Sequence, residues 1–229
     1  MSYTRRAVLL GGFTSLISSQ LTQVAQAASP DISHGPRGGK EVALTFHGAG
    51  DPEIATKLLN IFKSTSTPVT IFAVGTFLKQ NPEFAKQIID GGHDLGNHTM
   101  THTQMKTLSA NRVDAEIAGC ANLLKKLIGN HGAFFRPSGT QYSTGLIRRT
   151  AQKYGYKNCI SYDVDSHDYQ DPGAKAVIRN VNNGVKAGSI ISLHFGHANT
   201  VEAMPSIIES LHSKGLKPVT LTQMLGSVG

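Results

Sequence analysis

Tryptophan is absent from the 229 residues, and cysteine occurs only at Cys120 and Cys159. Two cysteines are too few for a four-cysteine zinc site or a four-cysteine iron–sulfur cluster. Their spacing is equally compatible with a disulfide and with two buried thiols. Charged residues are sparse at 16%, while hydrophobic residues reach 39%. That composition excludes a disordered chain, a collagen-like repeat and a disulfide-packed miniprotein. Long apolar runs are missing too. None approaches the roughly 20 residues a bilayer crossing needs, so no stable membrane span is expected. Acidic residues are outnumbered, 15 against 22 Lys and Arg, for a net charge of +7. No arginine-rich stripe or nucleic-acid motif goes with that excess, so no nucleic-acid partner is expected.

What is present begins with a processing signature. Arg5 and Arg6 precede an apolar run from Ala7, and Ala25-Gln26-Ala27 supplies a small-residue cleavage site. A charged start, a short apolar centre and an A-x-A site read as a secretory signal over 1–27. The paired arginines point to the twin-arginine route, with an ordinary secretory signal as the alternative. An exported protein is expected. Residues 28–40 are rich in Gly, Pro and Ser and read as a flexible lead-in. Residues 41–229 are then expected to form one domain, since neither a repeat nor a later linker interrupts them.

The pattern from residue 41 alternates. Buried-strand runs are expected at 41–46, 69–75, 94–96, 133–137, 158–164, 189–194 and 216–220. Helices are expected at 53–64, 82–90, 109–128 (with Ser109 as N-cap), 143–154, 173–186 and 201–214. Alternation of this kind predicts an α/β fold of parallel βαβ units. The pattern itself leaves a closed barrel and an open doubly wound sheet both possible.

Polar residues cluster where these strands end, the usual place for a ligand site in α/β folds. The first strand runs into His47-Gly48-Ala49-Gly50-Asp51, the third into His98 and His102. The fourth ends in Arg136-Pro137-Ser138-Gly139-Thr140, the fifth in Asp165-Ser166-His167-Asp168-Tyr169, and the sixth in His194, with His197 close behind. His98 and His102 are four apart, which on a helix puts both imidazoles on one face, ready for zinc or a related divalent ion. Other polar residues have plainer readings. Asp163 and Asp165 satisfy caps or loop N–H groups, His93 and His131 fill turns, and His212 lies on the surface.

The order of these clusters resembles the polysaccharide deacetylases, the NodB-homology domain of carbohydrate esterase family four, over roughly residues 41–225. The resemblance implies a distorted (β/α) barrel of about seven parallel strands. It implies a metal-dependent hydrolase that removes N- or O-acetyl groups from polysaccharide such as chitin-like or peptidoglycan glycans. His98-Thr99-Met100-Thr101-His102 matches the family's H-[ST]-x-x-H motif, so His98 and His102 are implied metal ligands. Arg136 matches the arginine that orients the catalytic base, and Gly139 falls where a backbone N–H helps hold the oxyanion. His194 matches the general acid, and Asp168 the residue that tunes it.

The first motif departs from the family. Where the family carries two aspartates, base and metal ligand, this chain has His47 and Gly48. Three readings stay open. His47 is the third ligand of a three-histidine site for Zn, Co or another divalent ion. Alternatively His47 is the base, with Asp51 reaching the metal. In the third, catalysis is impaired and the chain is a sugar-binding protein on the same fold. Without tryptophan, sugar stacking falls to Tyr169 or Tyr142.

Overall fold

The computed structural model describes residues 30–226. Strand β1 (Glu41–Gly48) is central. It pairs in parallel with β2 (Thr70–Ala73) on one side and β5 (Ile190–His194) on the other. Outside these lie β3 (Asp94–Asn97) on β2 and β4 (Val164–Asp165) on β5, while β6 (Lys217–Pro218) pairs with the first residues of β1. Single bridges then join Asn97 to Phe135 and Phe135 to Cys159. They carry the sheet from β3 round to the run that becomes β4, and the result is a distorted (β/α) barrel.

Among the described residues the sheet has six strands, where about seven were expected. The runs 133–137 and 158–164 shrink to bridges plus the two residues of β4. Phe134 accepts from the Asn97 N–H and Arg136 donates to the Asn97 carbonyl, but Pro137 follows at once with no N–H to continue the ladder.

The helices between strands cover the barrel: α1 (Pro52–Ser64), α2 (Gly75–Gln80), α3 (Glu83–Asp90), α4 (Ala110–Ile128), α5 (Gly145–Lys153), α6 (Ala174–Gly184), α7 (Ala198–Ser213) and the short α8 (Leu221–Leu225). Short α2 was not foreseen in the sequence. Ser109 stands at the N-cap of α4 as expected, though its side chain makes no capping bond.

Why β1 is apolar on both faces follows from the period of two. Val42, Leu44 and Phe46 turn outward and pack in one cluster with Leu58 and Phe62 of α1 and with Ala203 and Ile207 of α7. Ala43 belongs to a smaller cluster with Phe72, Phe134, Ile160 and Ile190. The same alternation puts Thr45 and His47 on the face of Ala43, and Ser192 and His194 on the face of Ile190. In register, Thr45 lies opposite Ser192 and His47 opposite His194.

Cys120 and Cys159 are separate buried thiols, in different clusters. Burial pushes each up to about 12, so both stay protonated. The expected signal at 1–27 lies outside the described residues. Residues 30–40, expected as a lead-in outside the fold, are instead bonded to it. Ile32 donates to the Cys159 carbonyl, Gly35 to the Gly188 carbonyl, and Arg37 pairs with Asp163 at 2.6 Å.

The tightest of these ties is Asp31. Its carboxylate accepts from the Ser143 N–H at 2.5 Å and from Arg148 Nε at 2.7 Å. Asp31→Ala leaves both donors short of a partner and is expected to destabilise by about 1–3 kcal/mol. Urea unfolding measures this, and a midpoint equal to that of the parent would show that the segment contributes nothing.

Candidate metal and acid–base site

His47 is the seventh residue of β1 and faces into the mouth of the barrel. The chain after it turns sharply. Gly50 has φ +112°, and a Cβ there would lie 2.7 Å from the Gly196 Cα. The loops after β1 and β5 therefore touch backbone to backbone, and only glycine permits that approach. Gly48 is also tied to close packing, since a Cβ would lie 2.8 Å from Ile71 Cγ2.

His98 and His102 follow β3, but not on a helix. Thr99 and His102 have φ of 70° and 60°, so two left-handed residues bend the segment back on itself. Local hydrogen bonds hold this costly turn. Thr99 N–H donates to Asn97 Oδ1 at 2.8 Å, and His102 N–H to Thr99 Oγ1 at 3.2 Å. Buried Glu116 of α4 accepts from Thr101 N–H at 2.8 Å. The two rings meet at 4.9 Å between centroids, so the spacing brings them together by a turn rather than a helical face.

Three imidazoles converge as a result. The donor atoms of His47, His98 and His102 all lie within 4.8 Å of one another. His47 Nδ1 is 2.8 Å from His98 Nε2. His98 Nδ1 donates to the Arg136 carbonyl at 2.8 Å, which leaves Nε2 as the lone pair facing the cluster. All three titrate below the ordinary histidine value of 6.5, His47 and His98 well below it. Burial is the first cause in each, followed by the neighbouring histidines, with Arg136 adding at His47 and His98. Neutral imidazoles whose ring nitrogens converge, with His98 Nε2 already a lone pair, suit a divalent cation, so the donor set fits a metal of the zinc type.

Arg136 is 1% exposed. Its Nε and Nη2 donate to the carbonyls of Ile160 and Ser161 at 3.3 and 3.0 Å, and Nη1 is 3.4 Å from His47 Nε2. Its guanidinium carbon lies 4.3 Å from the Phe72 ring centroid. None of these partners is a carboxylate, and burial pulls the guanidinium down to about 9.

His194 stacks on His47, with centroids 4.3 Å apart and planes inclined by 15°. Its Nδ1–H donates to Asp168 Oδ1 at 2.7 Å. Fully buried Asp168 also accepts from the His194 N–H and from Thr200 Oγ1, each at 2.7 Å. Burial alone would raise that carboxyl, but the bonds from His194 and Thr200 hold it below its ordinary value.

The structure brings His47, His98, His102, Arg136, His194 and Asp168 together. Asp51 stands apart: it is exposed and caps α1, accepting from the Glu53 N–H at 2.8 Å. Gly139, with φ +65°, belongs to the turn against Gln104, where a Cβ would lie 2.8 Å from the Gln104 Cα. Tyr169 is 5.3 Å from His194 between centroids and half exposed, as is Tyr142. His197 pairs with Asp171 at 2.9 Å, and Asp165 accepts from the His167 N–H.

Sequence reasoning missed Glu116, Thr200 and Ser192. Glu116 had a signal, a charge on the apolar stripe of Val113, Ile117 and Cys120. Ser192 had one too, two residues before His194 on the same strand face. Thr200 had none, because it meets Asp168 only through tertiary packing.

The pKa shifts give a pH dependence for the metal-free protein. His47 and His98 titrate lower when folded than the unfolded value near 6.5. Between those limits the unfolded chain binds more protons. Stability is therefore full above pH 6.5 and falls as pH drops below it, by up to about 1.4 kcal/mol per pH unit for each histidine. Urea midpoints with chelator at pH 7 and pH 5.5 should differ accordingly, and His98→Gln should reduce the difference.

Comparison with known proteins matches residues 34–159 to the family model described as polysaccharide deacetylase. A peptidoglycan-N-acetylglucosamine deacetylase of Bacillus cereus is 29% identical over 194 residues, 83% of this chain and 90% of that protein. A chitooligosaccharide deacetylase of Rhizobium leguminosarum is 29% identical over 85% of this chain and 92% of its own length. Among solved structures, a CE4-family pseudoenzyme from Bacillus anthracis aligns with a TM-score of 0.80 at 26% identity, covering 86% of this chain and 69% of that one. A mutant of that pseudoenzyme, described as having restored enzymatic activity, aligns equally well at 27% identity, covering 86% of this chain and 71% of its own.

Proposed function

The chain belongs to the polysaccharide deacetylase family, and from that premise we propose that it hydrolyses acetyl groups from an N-acetylated glycan of the peptidoglycan or chitin type. The observation that carries this reading is the meeting of three neutral imidazoles with the His194–Asp168 pair. His47, His98 and His102 hold the metal, of which zinc and cobalt are the leading candidates. A divalent cation held by these residues would supply Lewis-acid polarisation of the acetyl carbonyl and a more acidic water.

His194 does the proton work. Its Nδ1 is committed to Asp168, so neutral His194 offers Nε2 as an acceptor. It takes a proton from the attacking water. It returns that proton to the amine nitrogen as the C–N bond breaks, releasing acetate. Asp168 keeps the ring oriented and stabilises its charged form. The Gly139 N–H contributes a backbone donor toward the oxyanion. Arg136 orients His98 through its carbonyl, which takes the Nδ1 hydrogen, and Tyr169 and Tyr142 offer faces for sugar rings. Residues 1–27 serve as an export signal, most simply of the twin-arginine type, which puts the activity in contact with wall glycans.

A second reading is a sugar-binding protein with impaired catalysis. What favours it is the missing carboxylate at positions 47 and 48 and the structural likeness to a protein described as a pseudoenzyme.

Acetate release from chitooligosaccharides and peptidoglycan fragments separates the two, measured with and without chelator. The enzyme reading expects release that chelation abolishes and zinc or cobalt restores. Glycan binding with no acetate release in the metal-loaded protein would leave the second reading. His98→Ala and His102→Ala should lose both metal and activity. His194→Ala should keep the metal and lose about 10²- to 10⁴-fold in turnover. His47→Ala should lose the metal, whereas loss of turnover alone would make His47 the base and not a ligand.

A further inference from the structure

Three polar atoms surround the His47 ring nitrogens, and each is limited in what it can do. At Nδ1 stands His98 Nε2, 2.8 Å away. At Nε2 stand Ser192 Oγ, 3.0 Å away, and Arg136 Nη1, 3.4 Å away. His98 Nε2 is a lone pair, because Nδ1 of that ring gives its hydrogen to the Arg136 carbonyl. In the metal-free arrangement His47 therefore carries its hydrogen on Nδ1, donating to His98 Nε2. Nε2 is then an acceptor, and both Ser192 and Arg136 can donate to it.

A cation shared by His47 and His98 inverts this. His47 Nδ1 must present a lone pair, so the ring hydrogen moves to Nε2. Arg136 cannot accept it, because a guanidinium has donors only. Ser192 can, because a hydroxyl donates or accepts by rotating. The serine hydroxyl is the only other group hydrogen-bonded to this nitrogen among the described residues.

Resting on the three-histidine reading above, we infer that Ser192 is the positioning residue that sets the metal-binding tautomer of His47, accepting Nε2–H when Nδ1 ligates. The fold holds it there by two constraints. Ser192 is 1% exposed. Its strand register with Thr45 keeps it one alternation below His194, on the face that carries His47. The adjacent guanidinium makes the alternative costly, since without the hydroxyl an Nε2–H would face a cation alone.

The test uses the metal itself as probe. Zn²⁺ and Co²⁺ affinities are measured by competition with a chromophoric chelator on the parent protein, Ser192→Ala, Ser192→Thr and His98→Ala. Outer hydrogen-bond partners of ligating histidines are typically worth 10- to 100-fold in affinity. Ser192→Ala is expected to weaken binding by that factor, and Ser192→Thr, which keeps the hydroxyl, to recover most of it. Parent affinity in Ser192→Ala, with binding abolished in His98→Ala, would overturn the role of Ser192 and leave the metal site standing. A parent protein that binds neither ion would overturn both.

The tautomer is read independently on the unmutated protein by ¹⁵N NMR of the histidine rings. Zinc should move the His47 hydrogen from Nδ1 to Nε2. A His47 that stays protonated at Nδ1 in the zinc-loaded protein would overturn the inference, whatever the variants do.

Discussion

Arg136 joins the closure of the barrel to the chemistry at its mouth. Two of its nitrogens hold the carbonyls of Ile160 and Ser161, in the run that completes the sheet beside Phe135. Its own carbonyl takes the His98 ring hydrogen, and its last nitrogen reaches His47. A buried guanidinium without a carboxylate partner is costly, and here carbonyl dipoles and the face of Phe72 stand in for the missing charge. The residue cannot move without loosening the ring of strands and both imidazoles together.

The consequence for electrostatics is specific. Burial is the first reason that His47 and His98 resist protonation, the neighbouring histidines add to it, and the Arg136 cation acts in the same direction. The cluster is held neutral by its surroundings, and neutrality is what ligation demands. Neutral donors also leave the charge of a bound cation uncompensated, unlike carboxylates. Three-histidine catalytic zinc sites combine such a donor set with strongly acidified water.

Much of this was legible in the chain before any coordinates. Alternating apolar runs and helical stripes identified an α/β fold, and polar residues beyond strand ends identified one rim. His98, His102, Arg136, Asp168 and His194 were singled out that way or by resemblance, and the structure brings their side chains together. The illegible parts depended on backbone that sequence patterns do not describe. Four-residue spacing suggested a helix between His98 and His102, whereas Thr99 in a left-handed conformation, braced by Asn97, produces the meeting. Asp51 looked close enough to His47 to ligate, but a carboxylate just before Pro52 at a helix start is used as a cap. Gly and Pro in 28–40 suggested a lead-in outside the fold, because composition does not reveal that Asp31 and Arg37 find partners more than a hundred residues away.

The loss of carboxylates at positions 47 and 48 does not by itself read as decay. Here Gly48 is fitted against Ile71, Gly50 against Gly196, and Ser192 lies within hydrogen-bond distance of the histidine at 47. The His194–Asp168 pair stands complete beside them, with Thr200 bonded to the carboxylate. A histidine at 47 next to a cationic arginine is unfavourable as a base, since protonation would put two positive charges side by side in a buried space. As a ligand the ring itself stays neutral, and the Nε2–H it then turns toward the guanidinium has the Ser192 hydroxyl 3.0 Å away. The neighbours of position 47 therefore weigh against a histidine base and suit the three-imidazole metal site proposed above.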